Sequence, residues 1–123
     1  MRDNESAEMY LETILILTER APEVRAIDIV HETGYTKPSV SRAMKLLKEN
    51  RQIEVDESGY ITLTESGKAL AERVVERHRC LSAFLQYLGV SPETAAEDAC
   101  RMEHIISDTT FERMKAFLKE NAH

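Results

Sequence analysis

Apolar residues recur along this chain at helical spacing, broken once by a short stretch of alternation. Met9, Leu11, Ile14, Leu15 and Leu17 predict an amphipathic helix over residues 5–20, ended before Pro22. Arg25 to Thr33 reads as a short helix with Ile27, Ile29 and Val30 as its apolar positions, stopped by Gly34. Thr36 is placed to cap the next helix, and Lys37-Pro38 opens it, with proline tolerated in the first turn. That helix turns Val40, Ala43, Met44 and Leu47 inward. Alternation follows: Gln52–Asp56 and Tyr60–Leu63 flank Glu57-Ser58-Gly59, which predicts a β-hairpin. Helical spacing resumes at Thr64-Glu65-Ser66-Gly67 and runs to about Leu88 through Leu70, Val74, Leu81, Phe84 and Leu85, where Gly89-Val90 breaks it. Ser91 caps a further helix that has Pro92 at its first position and continues from Thr94 to Ser107. A last helix, Thr110–Asn121, carries Phe111, Met114, Phe117 and Leu118.

Helix, tight turn, helix and two-stranded hairpin is the layout of a winged helix-turn-helix, whose second helix enters the DNA major groove with the wing beside the backbone. The predicted fold is therefore mainly α. A winged helix-turn-helix domain over 1–64 is followed by an all-helical domain over 65–123, with a long linker helix over about 65–88. In 123 residues the second module has little core of its own, so pairing with a second copy is expected, and a two-fold dimer suits a palindromic operator.

Charge sharpens this picture. The chain carries a net −6, which argues against a nonspecific nucleic-acid coat. Yet Thr36–Gln52 holds Lys37, Arg42, Lys45, Lys48 and Arg51 against Glu49 alone, a net +4 that leaves −10 on the remainder. The positive charge thus sits on the helix that would be inserted. Thr36, Lys37, Pro38, Ser39, Ser41, Arg42 and Lys45 form the expected DNA-facing set, with Arg42 suited to bidentate contact with guanine. The blander reading is a protein-docking winged helix with a solvated basic face. No apolar run approaches the ~20 residues that span a bilayer. The polar, acidic opening Met1–Glu5 contains no secretory signal, which points to a cytoplasmic chain with no membrane partner. In that setting Cys80 and Cys100 are expected as reduced thiols or metal ligands rather than a disulfide.

The chemistry concentrates at Cys100, Glu103 and His104, spaced i, i+3 and i+4, which on a helix puts a thiolate, a carboxylate and an imidazole on one face. Three metal-binding groups on one turn serve neither packing nor solvation. The plainer reading has a packed cysteine and histidine beside a solvated glutamate. A thiol–imidazole enzyme is a poor fit, because no oxyanion-hole loop or glycine-rich turn lies nearby and no small organic substrate is implied. A winged-helix regulator answering a non-metal ligand stays open.

Glu8-Met9-Tyr10-Leu11-Glu12-Thr13-Ile14, Thr64-x-x-Gly67, Glu76-Arg77-His78-Arg79 and Glu97–His104 together resemble the diphtheria-toxin-repressor family of metal-dependent transcriptional repressors, in order and over nearly the whole chain. The resemblance implies a homodimer that binds operator DNA when loaded with Fe²⁺ or Mn²⁺ and shuts off metal-uptake genes. It also implies a short form without the SH3-like third domain. In the iron branch the ligands match Met9, Cys100, Glu103 and His104. The manganese branch uses carboxylates at the first two positions and adds one that matches Glu12. A second site in both branches uses the match to His78. The acidic residue and histidine that complete it in the iron branch fall on Ser82 and Ala96 here, so the likeness stops at those positions. A modified two-metal site would then use His78, Glu12 and Glu103. His31, Cys80 and His123 match no role and read as structural or surface residues.

Thioether and thiolate favour softer ions, whereas all-oxygen sites suit Mn²⁺. Met9 and Cys100 therefore point to Fe²⁺, with Mn²⁺ as the alternative and Co²⁺, Ni²⁺ or Zn²⁺ as ligands in vitro.

Overall fold

In the computed structural model, which describes residues 3–121, six helices and one hairpin follow in the order α1 (Asp3–Arg20), α2 (Ala26–Thr33), α3 (Lys37–Glu49), β1 (Ile53–Val55), β2 (Ile61–Leu63), α4 (Glu65–Tyr87), α5 (Pro92–Met102) and α6 (Asp108–Asn121). Residues 1–72 and 73–123 form two compact units, and the division falls inside α4.

The first unit is a winged helix-turn-helix. Its core is built from Tyr10, Leu11 and Ile14 of α1, Ile29 of α2, Val40, Met44 and Leu47 of α3, Ile53 and Ile61 of the hairpin, and Ala71 of α4. The turn between α2 and α3 rests on two local devices. Gly34 takes φ 77°, and its amide donates to the Val30 carbonyl and closes α2. Thr36 then caps α3 by accepting from the Ser39 amide. β1 and β2 pair antiparallel with Ile53 opposite Leu63 and Val55 opposite Ile61. At the wing tip the Asp56 carboxylate accepts from the Ser58 and Tyr60 amides, each at 2.9 Å, and Gly59 takes φ 85°.

The Thr64-x-x-Gly67 motif joins the wing to α4. Thr64 Oγ1 accepts from the Gly67 amide and donates to the Arg51 carbonyl, while the Thr64 amide donates to the Gln52 carbonyl. Gly67 is fully enclosed, and a Cβ there would overlap the Gln52 carbonyl oxygen. Only glycine permits that backbone approach.

The second unit comprises the rest of α4 with α5 and α6, packed around Leu81, Ala99 and Phe111. Ser91 caps α5 by accepting from the Thr94 amide, with Pro92 in the first turn. Phe84, Tyr87 and Phe117 meet edge to face, with centroids 5.8 and 5.9 Å apart, and Tyr87, Leu88 and Phe117 remain exposed.

Three expectations need correction. Ile27 is exposed, because a helix of eight residues turns one narrow face inward and Ile29 occupies it. The strands are shorter than the alternating runs, with Gln52 and Tyr60 outside the ladder. α5 ends at Met102 instead of Ser107, so Glu103 is its C-cap and His104 lies in the following turn. Cys80 is half-buried against the second core and His31 is exposed, while His123 lies outside the described residues.

Candidate metal centre and nucleic-acid interface

Within the second unit, α4 presents two consecutive side chains to the turn between α5 and α6. Arg77 and His78 interrupt the stripe that Val74 and Leu81 carry inward, so both reach protein rather than open solvent. His78 Nδ1 lies 3.0 Å from Glu103 Oε2. On the other side of the same carboxylate, His104 Nε2 lies 3.2 Å from Oε1. The Glu103 side chain is completely buried, and His104 is nearly so.

The two carboxylate oxygens differ in kind. Oε2 has its hydrogen bond to His78, whereas Oε1 is buried without a hydrogen-bond partner among the described residues. An unsatisfied buried carboxylate oxygen is expensive, by about 1–3 kcal/mol or more for a charged group. The lone pairs of Oε1 and His104 Nε2 repel at this distance unless a proton or a cation lies between them. Two ligand atoms each ~2.0–2.2 Å from one ion stand roughly 3.0–3.5 Å apart, so this pair fits a divalent cation. The residues present therefore fit a metal.

Cys100 lies on the last turn of α5, is exposed and forms no disulfide. Met9 and Glu12 sit three residues apart on α1 in the first unit, both half-buried. Thr13 packs at the same place, with its hydroxyl donating to the Met9 carbonyl and lying 3.9 Å from the Met9 sulfur. Of the six expected ligands, the second unit thus brings together His78, Glu103 and His104.

Arg77 carries no role in the sequence reading, yet it organises this turn. Its Nη1 donates to the Glu103 carbonyl at 3.0 Å and to the Ile106 carbonyl at 3.1 Å. Its Nη2 pairs with Asp108, and its guanidinium lies over the Phe111 ring. A cation on the inward stripe of α4 was the available signal.

In the first unit, α3 carries the basic face. Lys37, Pro38, Ser41, Arg42 and Lys45 are exposed, and Thr36 closes the N-terminal end. Arg42 Nη2 donates to Ser39 Oγ at 3.4 Å, and Ser39 Oγ also accepts from Thr36 at 2.9 Å. The three residues form one polar chain along the helix start. Tyr10 packs edge to face against Tyr35 of the connecting turn. Burial and Tyr35 push the Tyr10 hydroxyl above its ordinary range against the pull of Arg42, so it stays a neutral phenol beside this face.

Known proteins resemble this chain over most of its length. The transcriptional regulator MntR of Escherichia coli is 35% identical over 112 residues, which cover 91% of this chain and 72% of that protein. The chain belongs to the diphtheria-toxin-repressor family of metal-dependent regulators. The profile described as iron dependent repressor, metal binding and dimerisation domain matches residues 64–123. The diphtheria toxin repressor of Corynebacterium jeikeium is 31% identical over 125 residues, covering 99% of this chain and 52% of its own length. The structure of the manganese regulator SloR superposes with a TM-score of 0.82 at 30% identity, covering 97% of this chain. The chain spans about half the length of that structure, 55%. These relatives are transcriptional regulators rather than enzymes. Among the described residues no helix is long and apolar enough to cross a membrane.

Proposed function

We propose that this chain is a metal-activated transcriptional repressor that binds palindromic operator DNA as a homodimer, responds to Fe²⁺ and controls metal-uptake genes in the cytoplasm. The observation that carries this reading is the buried Glu103 carboxylate, held on one side by His78 with its second oxygen turned toward His104.

Glu103 and His104 hold the effector ion, and Cys100 adds a thiolate from the last turn of α5. Met9 and Glu12 of the first unit complete the ligand set, a placement supported by their residue types in the family pattern. Bound metal supplies positive charge and a coordinative link between these side chains. Ligands drawn from both units make metal affinity depend on how the DNA-reading unit is held. Metal shifts that balance only by its difference in affinity for the two states, and DNA must tighten metal binding by the same factor. A tenfold difference is worth ~1.4 kcal/mol per site. On the DNA side, Thr36, Lys37, Pro38, Ser39, Ser41, Arg42 and Lys45 of the α3 face contact the duplex. The exposed Phe117, Tyr87 and Leu88 support pairing with a second copy.

Manganese is the second reading, favoured by Glu12 and by the similarity to a manganese regulator. The test is anaerobic binding to a palindromic duplex selected on metal-loaded protein, with Fe²⁺ and Mn²⁺ titrated separately into wild type and Cys100→Ala. Iron-selective activation lost in the variant supports the iron reading. Equal activation by both metals with the variant unaffected moves the site to Glu12, His78 and Glu103 and makes the chain a manganese sensor. No metal effect overturns both. In the loaded protein, Arg42→Ala should weaken binding by about 1–3 kcal/mol and relax base preference at one position.

A further inference from the structure

We propose that Arg77 is the positioning residue of the metal centre, fixing the turn that carries Glu103 and His104 before any ion arrives; the inference rests on the metal reading above. The argument begins with how α5 ends. The last carbonyls of a helix have no intrahelical donor and need partners from elsewhere. Here the Glu103 amide donates to Ala99 at 3.0 Å, and the Ile105 and Ile106 amides donate to Met102 at 3.1 and 3.2 Å, which tightens the chain into a turn. The outward carbonyls of Glu103 and Ile106 are taken by one Arg77 nitrogen, at 3.0 and 3.1 Å. The other terminal nitrogen pairs with Asp108, the first residue of α6, so a single guanidinium ties the end of α5, the turn and the start of α6 to α4.

Consecutive residues of α4 thereby grip both ends of one ligand. Arg77 holds the Glu103 backbone and His78 holds its carboxylate. Swinging the carboxylate away breaks the His78 contact, and moving the turn breaks the Arg77 contacts. Arg77 itself is well covered, with its side chain 12% exposed, and it lies over the Phe111 ring at 5.1 Å, so its own position is set by packing. Asp108 is 77% exposed and Arg73 approaches it at 3.6 Å as well, which makes the carboxylate the weaker end of the clip. A ligand fixed in advance loses less freedom on binding, and partners that orient ligands typically govern affinity by about 10–100-fold.

The experiment measures Mn²⁺ binding to the full chain by the loss of free-ion EPR signal, without DNA, in wild type, Arg77→Lys, Arg77→Met and Asp108→Asn. The expected order of affinity is wild type, then Asp108→Asn within a few-fold, then Arg77→Lys and Arg77→Met weakened at least tenfold. Arg77→Lys should keep the oligomeric state and lower the apo melting temperature less than Arg77→Met does, because its ammonium keeps the charge, yet it should lose as much Mn²⁺ affinity because the fork is gone. Unchanged Mn²⁺ affinity in Arg77→Lys overturns the proposal. So does a loss of affinity that only tracks a fall in apo stability across the series. Should Arg77→Met fail to fold, the lysine and asparagine variants decide the matter. Absence of Mn²⁺ and Fe²⁺ binding in wild type would instead defeat the metal reading itself.

Discussion

His78 Nδ1 stands 3.0 Å from Glu103 Oε2 across a separation of 25 residues, and this contact fixes a buried carboxylate with its other oxygen free of hydrogen bonds among the described residues. A protein built only for stability gains little from such an arrangement, because an isolated buried carboxylate costs several kcal/mol unless it is fully paired. Its sense lies in what it can bind.

Glu103→Gln separates the two roles. The amide keeps the size of the side chain and a hydrogen bond for His78, while the charge offered to a cation is lost. Metal affinity should fall by roughly a hundredfold or more, beyond the 10–100-fold typical of groups that merely orient a ligand. Wild type at a hundredfold excess of metal over Kd should gain ~2.7 kcal/mol of stability, and the variant should gain almost none. Urea unfolding with and without metal reads both numbers. Strong destabilisation of the metal-free variant would show that the carboxylate serves the fold instead.

Gly67→Ala tests the joint between wing and α4. The added Cβ would overlap the Gln52 carbonyl oxygen, which is backbone and cannot step aside like a side-chain tip. The Gln52 carbonyl also receives the Thr64 amide, so yielding would break the junction. Overpacking of this kind costs typically ~1–3 kcal/mol, and the loss should appear as a lower urea midpoint for the first unit. An unchanged midpoint would mean that the backbone approach is not required.

The two cysteines should behave differently toward a thiol reagent. Burial pushes the Cys80 thiol above its ordinary range, with Lys115 pulling the other way and Glu76 and Glu112 adding to the rise. Cys100 is exposed. At neutral pH Cys100 should therefore react in a fast phase and Cys80 in a slow one that disappears on unfolding. Because the folded state disfavours the Cys80 thiolate, that group's contribution to stability is present below the ordinary thiol pKa and declines as pH rises through it. Fe²⁺ should slow the Cys100 phase if its sulfur is a ligand. Labelling at the same rate with and without metal would remove Cys100 from the site.

What the residue pattern shows and what it hides divide along a physical line. Caps and stops are local chemistry: Gly34, Thr36 with Pro38, and Ser91 with Pro92 place their elements without reference to anything distant. The end of α5 is not local. Helical spacing carries Cys100, Glu103 and His104 onto one face running on to Ser107, but the helix stops at Met102, where Arg77 takes the Glu103 and Ile106 carbonyls from 26 and 29 residues away. No spacing rule encodes that partner. Glu103 and His104 can be named as candidate ligands from spacing and His78 from the family resemblance, whereas the Arg77 contacts to the turn after α5 require the fold. Ile27 differs for a simpler reason, since a two-turn helix has too little inward surface for every apolar residue it carries.

Phe117 carries the last prediction. It stacks edge to face on Phe84 and Tyr87, yet 43% of its surface is exposed, as is 48% of Tyr87 at the end of α4 and 61% of Leu88 just after that helix. Aromatic rings ordered against each other and left half-uncovered are what an apolar interface looks like before its partner is added. Phe117→Glu adds a charge at the centre of that surface, where burial without a partner costs several kcal/mol, but removes little from the monomer's own core around Leu81, Ala99 and Phe111. By sedimentation, wild type should be a dimer and the variant a monomer with an unchanged helical spectrum. Duplex affinity should collapse, because a single unit reaches only one half-site, while Mn²⁺ binding should persist through Glu103 and His104. A variant that still sediments as a dimer would move the self-association surface away from the α4–α6 aromatic cluster.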